Sequence, residues 1–234
     1  MKPDIQAIIV GAGGITSYFL PAFLRTFNVT DGLLIDGDIL EERNLDRQLF
    51  TKNYIGKNKA EALLKVNKCK ALKCMPSYLD GAGIGQGPAE AAVLWSNLVI
   101  IALVDNHIAR RAALELAEEL SCPIIMGANE LETAQAIYYN HTPETCPLRR
   151  YPDMATDNSG SPFACQGEEA EAAAPQLAMA NMMAASFVLD LLWKWNGPVN
   201  TRFKRPEAHM PIEFQSTYGA LETITYGQAS KVTA

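Results

Sequence analysis

The first residues with a chemically informative spacing are Gly11, Gly13 and Gly14, which lie between an apolar run and a helix-like stretch. A glycine turn at such a place lets phosphate oxygens approach backbone N–H groups at the positive end of a helix. Thr16 stands where the dinucleotide fingerprint needs its third glycine, so the G-x-G-x-x-G spacing is not complete. The turn alone therefore does not identify the ligand.

Asp36 adds a second group, because it ends the next apolar run about 20 residues after the turn. An acidic side chain at that place can accept hydrogen bonds from ribose hydroxyls. Asp is also common in turns, so Asp36 and Asp38 could instead simply begin a loop. We favour the ribose role for Asp36, leave Asp38 open, and interpret the turn and Asp36 together as a site for an adenosine nucleotide.

Two further segments carry cationic and amide side chains: Asn44, Arg47 and Gln48 lie in NLDRQ, and Lys59 lies in GKNKA. A single surface cation is most often just solvated. These two segments, however, lie between core elements and near the expected phosphate site. We therefore include them among the candidate binding residues.

The elements that must position these residues alternate between strand and helix patterns. Strand patterns cover 7–10, 32–36, 98–104 and 124–126, and helix patterns cover 16–27, 59–66 and 107–120. The run 98–104 has no polar residue, which is typical of a central parallel strand covered on both faces. This alternation predicts an α/β fold with a Rossmann-like, doubly wound, mostly parallel sheet. Ligands of such sheets bind at the carboxyl ends of the strands, where the glycine turn, Asp36 and Asp105 fall.

The second half of the sequence contains fewer alternating elements. A Pro-, Asp-, Asn-, Ser- and Gly-rich stretch is longer than an ordinary connection and predicts a crossing loop. A long apolar, methionine-rich helix follows at 174–195, and short alternating runs at 212–214 and 223–226 predict terminal antiparallel strands. We predict one domain over 1–234, with a nucleotide-binding core (1–140), a crossing loop (141–173), and a late helix with terminal strands (174–234).

Composition narrows the class of protein. The chain has 234 residues, enough for one large α/β domain. Its 20 Lys and Arg against 26 Asp and Glu give a net charge of -6, which disfavours nucleic acid as a partner. The five cysteines include no C-x-x-C pair, and the N-terminus does not have the pattern of a signal peptide. We expect a cytoplasmic protein that does not enter the membrane.

Five segments, namely GAGGITS, LLIDGD, ERNLDRQLF, IGKNKA and VDN, occur in the order and approximate spacing of a known family. On these segments the chain resembles the ThiF/HesA/MoeB family of ubiquitin-activating-type adenylyltransferases. The resemblance covers the first half, weakens through the crossing loop and returns at the late helix. It implies ATP- and Mg²⁺-dependent adenylation of the C-terminal carboxylate of a small ubiquitin-like or sulfur-carrier protein that ends in an exposed glycine.

The resemblance also implies roles for single residues. Carried over by position, ATP binding falls on Gly11, Gly13, Gly14, Asp36, Asn44, Arg47, Gln48, Lys59, Asp105 and Asn106. Arg47 and Lys59 would neutralise phosphate oxygens, and Asp105 would hold Mg²⁺. A carboxylate is already ionised near pH 7, so the reaction needs positioning and charge neutralisation rather than a general base.

Cysteine roles are also implied by the resemblance. Relatives often have a cysteine for thioester or acyl-disulfide chemistry at the position of Cys165, although adenylation does not require it. The alternative is a structural thiol, because no Arg, Lys or His adjoins Cys165 in sequence to lower its pKa. Cys146 lies where relatives begin a zinc site, but its partners are missing, so we predict no zinc. Cys69, Cys74 and Cys122 are expected to act as small core residues.

Dimerisation and a trans-acting arginine are further family properties. The resemblance and the apolar late helix together predict a homodimer. Many relatives have an additional N-terminal helix whose arginine reaches ATP across the dimer, whereas this sequence begins at its first strand. We therefore expect another cation to replace it, with Arg149 and Arg150 as candidates, and leave open whether turnover is retained.

Three alternative functions remain at this point. The acceptor could be a tRNA-bound threonylcarbamoyl group or a short peptide, although the acidic net charge argues against tRNA. The chain could also be a nucleotide-binding scaffold without turnover. A nicotinamide-dependent oxidoreductase shares the fold class, but the missing third glycine and the NLDRQ segment argue against it.

Overall fold

The computed structural model describes residues 2–79, 92, 95–141, 146–158 and 177–196, together with the backbone of 213–217. Its strands are β1 (Asp4–Val10), β2 (Asn28–Ile35), β3 (Lys73–Met75), β4 (Leu98–Ala102), β5 (Ile124–Asn129), β6 (Thr133–Tyr139) and β7 (Glu213–Thr217). They form one sheet in the order β3-β2-β1-β4-β5-β6-β7. The first five strands in that order are parallel, and β6 and β7 are each antiparallel to their neighbours. The predicted sheet is therefore confirmed.

Helices cover both faces of this sheet. They are α1 (Gly14–Thr26), α2 (Lys59–Val66), α3 (His107–Glu119), α4 (Pro147–Arg150), α5 (Pro152–Thr156) and α6 (Ala178–Asn196), with 3-10 turns at Glu42–Asn44 and Lys52–Tyr54. One core lies between the sheet and α1, α2 and α6, and the other lies between the sheet and α3. Ile9 of β1 contributes to the first core and Ile8 to the second, as the alternation of side chains along a strand requires.

The order of the strands creates a switch point between β1 and β4. The chain passes from β1 outward through β2 and β3, then returns to the other side of β1 and continues with β4 and β5. Val10, at the end of β1, pairs with Ile35 of β2 and Ala102 of β4. Three strand ends therefore meet at the edge where doubly wound sheets bind their ligands.

Several local predictions can be compared with the structure. α2 has the predicted bounds, and all five residues of β4 are buried. α1 begins earlier than predicted, at Gly14, and contains Pro21. The predicted run 223–226 lies outside the described residues, as does most of the crossing loop, whose described part contains α4 and α5. Within the described ranges, no helix is long and apolar enough to cross a bilayer.

Candidate functional site

The glycine turn joins β1 to α1 at the switch point. Gly11 has a φ of +95°, and its N–H donates to the carbonyl of Ile35 at 2.8 Å. A Cβ on Gly11 would lie 2.5 Å from the carbonyl oxygen of Leu103. Glycine is therefore required here both by its backbone conformation and by the close approach of the segment after β4.

Gly13 precedes α1 and faces open space. A Cβ on Gly13 would meet no atom within 4 Å. Thr16, in place of a third glycine, is fully buried and donates its hydroxyl to the carbonyl of Gly11 at 2.7 Å. This bond fixes the buried side of the turn. The N–H groups of the first turn of α1 have no acceptor within the helix. The turn can thus accept an anion above Gly13.

Asp36, directly after β2, is bonded to the same turn. One carboxylate oxygen accepts the N–H of Ala12 at 2.5 Å, and the other accepts the N–H of Asp38 at 2.7 Å. Burial, followed by the negative charge of Asp38, raises the pKa of Asp36 to about 6, although Lys59 and these backbone bonds act in the opposite direction. Asp36 therefore changes charge close to neutral pH.

Asp38, whose role the sequence left open, forms an ion pair with Lys59. The Nζ of Lys59 lies 2.7 Å from Asp38, and their side chains are only 9% and 18% exposed. Tyr78 donates its hydroxyl to the other carboxylate oxygen of Asp38 at 2.6 Å. The charge of Lys59 is thus partly neutralised inside the protein, which the sequence did not predict.

Asn44, Arg47 and Gln48 form a compact turn beside α1. Asn44 is buried and its side-chain oxygen accepts the N–H of Glu41 at 2.9 Å, which fixes the start of the turn. Arg47 donates through Nη1 to the carbonyl of Arg43 at 3.1 Å and to Asp46 at 2.9 Å. Gln48 is 8% exposed. Side chains from this turn therefore reach the switch point in a largely buried environment.

Asp105 and Asn106 follow β4. The side-chain oxygen of Asn106 accepts the N–H of Ala109 at 2.8 Å and caps α3, whereas Asp105 is exposed. Arg110 donates to the carbonyl of Val104 at 3.0 Å. Among the described residues, no cluster of three or more His, Cys, Asp or Glu side chains could hold a metal ion by itself. A single carboxylate is nevertheless a common Mg²⁺ ligand when substrate phosphates supply the rest.

One open cavity of about 210 Å³, the first cavity, brings the predicted residues together. Its lining includes all ten predicted ATP-binding residues, namely Gly11, Gly13, Gly14, Asp36, Asn44, Arg47, Gln48, Lys59, Asp105 and Asn106. Asp38, whose role the sequence left open, also lines this cavity, together with six polar residues that no sequence motif indicated: Arg43, Ser77, Tyr78, Arg110, Asn129 and Asn181. The structure thus establishes the proximity of the predicted residues, while their roles remain predictions.

Unpartnered polar atoms are concentrated around the first cavity. Five buried side-chain nitrogen or oxygen atoms of the described residues have no hydrogen-bond partner: Arg47 Nε, Gln48 Oε1, Ser77 Oγ, Asn129 Nδ2 and Asn181 Oδ1. Every one of the five residues lines this cavity. Buried polar groups normally have partners, and leaving one without a partner costs about 1 to 3 kcal/mol. The cavity therefore has the donors and acceptors of a site for a polar ligand.

A second cavity of about 750 Å³ adjoins the first. It lies over β5 and β6, beneath the described part of the crossing loop, and its lining includes His107, Gln135 and Arg150. Asp105, Arg110 and Asn129 line both cavities and form the junction between them. Of the two arginines considered from the sequence, Arg150 lines the second cavity, and Arg149 is not among the described lining of either.

The outer wall of the second cavity is held by side chains. Arg111 of α3 donates to the carbonyls of Met154 at 2.7 Å and Asp157 at 2.9 Å, and to the side chain of Asn158. Gln135 of β6 donates to the hydroxyl of Tyr151 at 2.6 Å. These bonds attach α5 and its flanks to the sheet and to α3.

No cysteine is among the described residues that line the two cavities. Cys165 falls outside the described residues. Cys122 is buried, and burial raises the pKa of its thiol to about 12, which disfavours the nucleophilic thiolate form. Cys69, Cys74 and Cys146 are partly buried and pack against the two cores. Among the described residues, the candidate chemical groups are therefore those around the first cavity and at its junction with the second.

Comparison with solved structures gives the same fold at low sequence identity. PaaA is 18% identical, with 96% of this chain and 63% of that chain covered and a TM-score of 0.63. E. coli MccB with ATP is 18% identical (96% and 63% covered, TM-score 0.60). The microcin C7 biosynthetic enzyme MccB in complex with N-formylated MccA is 17% identical (96% and 64% covered, TM-score 0.57). The chain thus spans less than two thirds of the length of these structures.

Sequence comparisons give one decisive result. No curated protein matches the chain significantly. The model of the ThiF family matches residues 4–217, which is most of the chain and includes every described residue of the site. The chain therefore belongs to the ThiF family.

Proposed function

We propose that this protein binds ATP with Mg²⁺ in the first cavity and adenylates the C-terminal carboxylate of a peptide or small protein. One observation carries the proposal: the five buried, unpartnered side-chain atoms all belong to residues around this cavity, where the glycine turn also opens. Membership of the ThiF family and the fold shared with E. coli MccB, which was crystallised with ATP, support the same choice of ligand.

The residues present suit the phosphates, the ribose and the Mg²⁺ ion of bound ATP. The open backbone at Gly13 and the start of α1 would receive phosphate oxygens. Asp36 would accept hydrogen bonds from the ribose. Arg47 would donate to phosphate oxygens through its guanidinium, and the exposed carboxylate of Asp105 would hold Mg²⁺. These assignments place ATP at the edge of the sheet where cationic, anionic and amide groups already lie.

The proposed reaction needs no acid or base from the protein. A carboxylate oxygen of the acceptor forms a bond to the α-phosphorus, and the bond from that phosphorus to the bridging oxygen of pyrophosphate breaks. Mg²⁺ would neutralise phosphate charge as the pyrophosphate leaves. Arg47 adds a positive charge, while Lys59 shares its charge with Asp38 and contributes less than an unpaired lysine would. The protein's contribution is positioning and charge neutralisation.

The acceptor would approach through the second cavity. Its carboxylate would reach the nucleotide at the junction of Asp105, Arg110 and Asn129. Arg110 supplies a positive charge there, and Asn129 supplies an amide whose nitrogen is buried and has no partner in the described part of the chain. A cation and an amide donor suit a carboxylate. We propose the glycine-ended tail of a ubiquitin-like or sulfur-carrier protein as the acceptor.

A short peptide with larger side chains is the second candidate acceptor. The second cavity, about 750 Å³, lies within the range of sites that enclose small organic ligands. That volume suits a chain end that bears side chains. E. coli MccB, a protein of the same fold, has been crystallised with MccA. Glycine-ended and bulky peptide termini should therefore both be tested.

Dimerisation is also part of the proposal. α6 and the residue before it expose a set of large apolar side chains, Leu177, Met179, Met182 and Trp193, each between 39% and 50% accessible. Such side chains on one helix are typical of surfaces that another subunit covers. Light scattering of the purified protein would show a mass near 51 kDa, twice the chain mass of 25.5 kDa, if two copies associate.

The first test is direct binding of ATP with Mg²⁺ by calorimetry, followed by ATP-pyrophosphate exchange with glycine-ended proteins and mixed peptides. Arg47→Ala should weaken ATP binding at least about 100-fold, because charge-assisted hydrogen bonds are lost. Asp105→Ala should abolish the dependence of binding on Mg²⁺. Lys52→Ala, an exposed cation of the neighbouring 3-10 turn, is the matched control and should change nothing. No ATP binding by the wild type would contradict the proposal, and binding without exchange would favour a scaffold.

A further inference from the structure

Asn181 is a buried residue of the first cavity that no sequence motif indicated. It lies on α6, has no exposed surface and lines the cavity. In sequence it is 134 residues from Arg47, another residue of the same lining. A Cβ on Gly14 would lie 2.4 Å from Asn181 Oδ1 and 2.6 Å from its Nδ2. The amide of Asn181 therefore occupies the space that a side chain at the start of α1 would fill.

The two ends of this amide have different environments. Asn181 Nδ2 donates to the carbonyl oxygen of Arg47 at 3.5 Å, so this end must carry the hydrogens. The other end, Oδ1, is buried and has no partner within the described residues. A buried acceptor without a donor is unfavourable. A donor that reaches Asn181 Oδ1 when the ligand binds would explain why an amide side chain occupies this position.

Arg47 has the complementary feature. Its Nε is buried and, among the described residues, unpartnered, while its Nη1 donates to the carbonyl of Arg43 and to the carboxylate of Asp46. Arg47 and Asn181 are already joined through the Arg47 carbonyl. One unpartnered donor and one unpartnered acceptor therefore lie on two residues that contact each other at the edge of the same cavity.

We infer that Asn181 is a positioning residue for Arg47 in the nucleotide-bound state. When phosphate draws the Arg47 guanidinium away from Asp46, the Nε–H of Arg47 donates to Asn181 Oδ1. The two Nη groups then face phosphate oxygens in the fixed fork of the guanidinium. Asn181 holds both the backbone and the side chain of Arg47, and α6 becomes part of the triphosphate site. This inference rests on the proposed binding of ATP.

The test is a double-mutant cycle on ligand affinity. Asn181→Leu keeps the approximate volume of the side chain and removes its hydrogen bonds, and Asn181→Ala is the second variant in case one of them does not fold. Arg47→Lys keeps the charge but has no Nε–H. Dissociation constants for ATP with Mg²⁺, and for adenosine, are measured by calorimetry for the wild type, each single variant and the double variants.

We expect either Asn181 variant to weaken ATP binding about 10- to 100-fold in the protein that retains Arg47. In the Arg47→Lys background the same change should cost at least about fivefold less, because the Nε–H partner is gone and only the bond to the backbone carbonyl of residue 47 remains. Adenosine affinity should stay within about twofold throughout, since adenosine has no phosphate for Arg47. A purely structural role for Asn181 would instead weaken the binding of both ligands, and the loss would be equally large in the Arg47→Lys background.

Asn67 provides a matched control. Its Nδ2 also donates to a backbone carbonyl, that of Leu63 at 2.9 Å, but it lies in the C-terminal cap of α2 and lines neither cavity. Asn67→Ala should lower the melting temperature without changing ATP affinity. Unchanged ATP affinity in both Asn181 variants, or equal losses in the wild-type and Arg47→Lys backgrounds, would overturn the inference alone. Failure of the wild type to bind ATP would overturn the proposed function as well.

Discussion

The two cavities are built in different ways. The first cavity lies where β1, β2 and β4 end, and backbone hydrogen bonds such as those from Gly11 to Ile35 and from Leu103 to Val10 fix its floor. The second cavity lies over the antiparallel strands β5 and β6, and side chains such as Arg111 hold its outer wall. Pairing between strand backbones therefore determines the shape of the first cavity, whereas a few long side chains hold the wall of the second.

This difference separates two properties of the proposed enzyme. A floor of paired parallel strands holds in place the backbone that carries the polar groups around the first cavity, which suits a ligand of constant shape such as a nucleotide. A wall attached through a few side-chain bonds can open at lower cost. Nucleotide binding and acceptor binding should therefore respond to different mutations, and the following predictions test that separation.

The largest expected effects come from substitutions of Gly13 and Gly11, two glycines of the same turn. Gly13→Ala places a methyl group in open space at the mouth of the first cavity. The φ of -89° and ψ of -148° of Gly13 lie outside the main allowed regions, so alanine adds some backbone strain there. We expect ATP affinity to fall about 100-fold, as when one charge-assisted hydrogen bond cannot form, while the free energy of unfolding falls by only about 1 kcal/mol because no atom lies against the new methyl group. Calorimetry and thermal unfolding measure the two quantities.

Gly11→Ala is the contrasting variant and should damage the fold. Its φ of +95° is unfavourable for alanine, and the new Cβ would lie 2.5 Å from the carbonyl oxygen of Leu103. We expect a loss of at least about 2 kcal/mol in the free energy of unfolding. Similar losses of stability in the two variants would contradict the assignment of Gly13 to the ligand and Gly11 to the fold.

The residues singled out from the sequence come together around the first cavity because several of them lie at or shortly after strand ends. Gly11 follows β1, Asp36 follows β2 and Asp105 follows β4, and parallel strands end at a common edge. Each motif is therefore located by the strand that precedes it. Asn181 could not be predicted in this way, because it reaches the site only through the packing of α6 across α1.

The second cavity was largely beyond sequence reasoning. β6 was not predicted, although its first residues alternate between partly exposed and buried positions, with Thr133 and Gln135 on one face and Ala134 and Ala136 on the other. That alternation is typical of a strand. The antiparallel direction of β6 relative to β5, however, depends on pairing in the folded sheet. The attachment of α5 by Arg111 joins residues more than 40 positions apart, and no local pattern indicates it.

Arg111→Ala tests the wall of the second cavity. The change removes the bonds to the carbonyls of Met154 and Asp157, and bonds that involve a charged group contribute about 1.5 to 3 kcal/mol each. We expect faster hydrogen exchange at 151–158 and a loss of about 2 kcal/mol in local stability, with ATP affinity within about twofold of the wild type. Hydrogen-exchange mass spectrometry and calorimetry provide the two measurements.

Arg25→Ala is the matched control for that variant. Arg25 also donates to a backbone carbonyl, that of Pro21 at 2.8 Å, but it lies on the exposed side of α1. Its loss should change stability by less than about 0.5 kcal/mol and leave 151–158 unaffected. A large drop in ATP affinity in Arg111→Ala would show that the two cavities are mechanically coupled and would contradict the separation.

The smallest predicted effect is a pH dependence confined to the first cavity. The pKa of Asp36 is raised to about 6, chiefly by burial and then by Asp38, so its carboxylate gains a proton as the pH falls through 6. Ribose hydroxyls then lose an acceptor, and adenosine affinity should fall, approaching about tenfold per pH unit below that midpoint. Adenosine is the suitable ligand because it has no phosphate that titrates in this range.

Variants of the two aspartates identify the group responsible. Asp38→Asn removes the negative charge that raises the pKa of Asp36 and also removes the ion pair with Lys59, so both changes should move the midpoint of adenosine binding to lower pH. Asp36→Asn should weaken binding at every pH and abolish the midpoint. In the second cavity, burial followed by the charge of Arg110 lowers the pKa of His107 below its usual range, opposite in direction to the shift of Asp36. A midpoint that persists in Asp36→Asn would assign the titration to another group and would remove the electrostatic distinction between the two cavities.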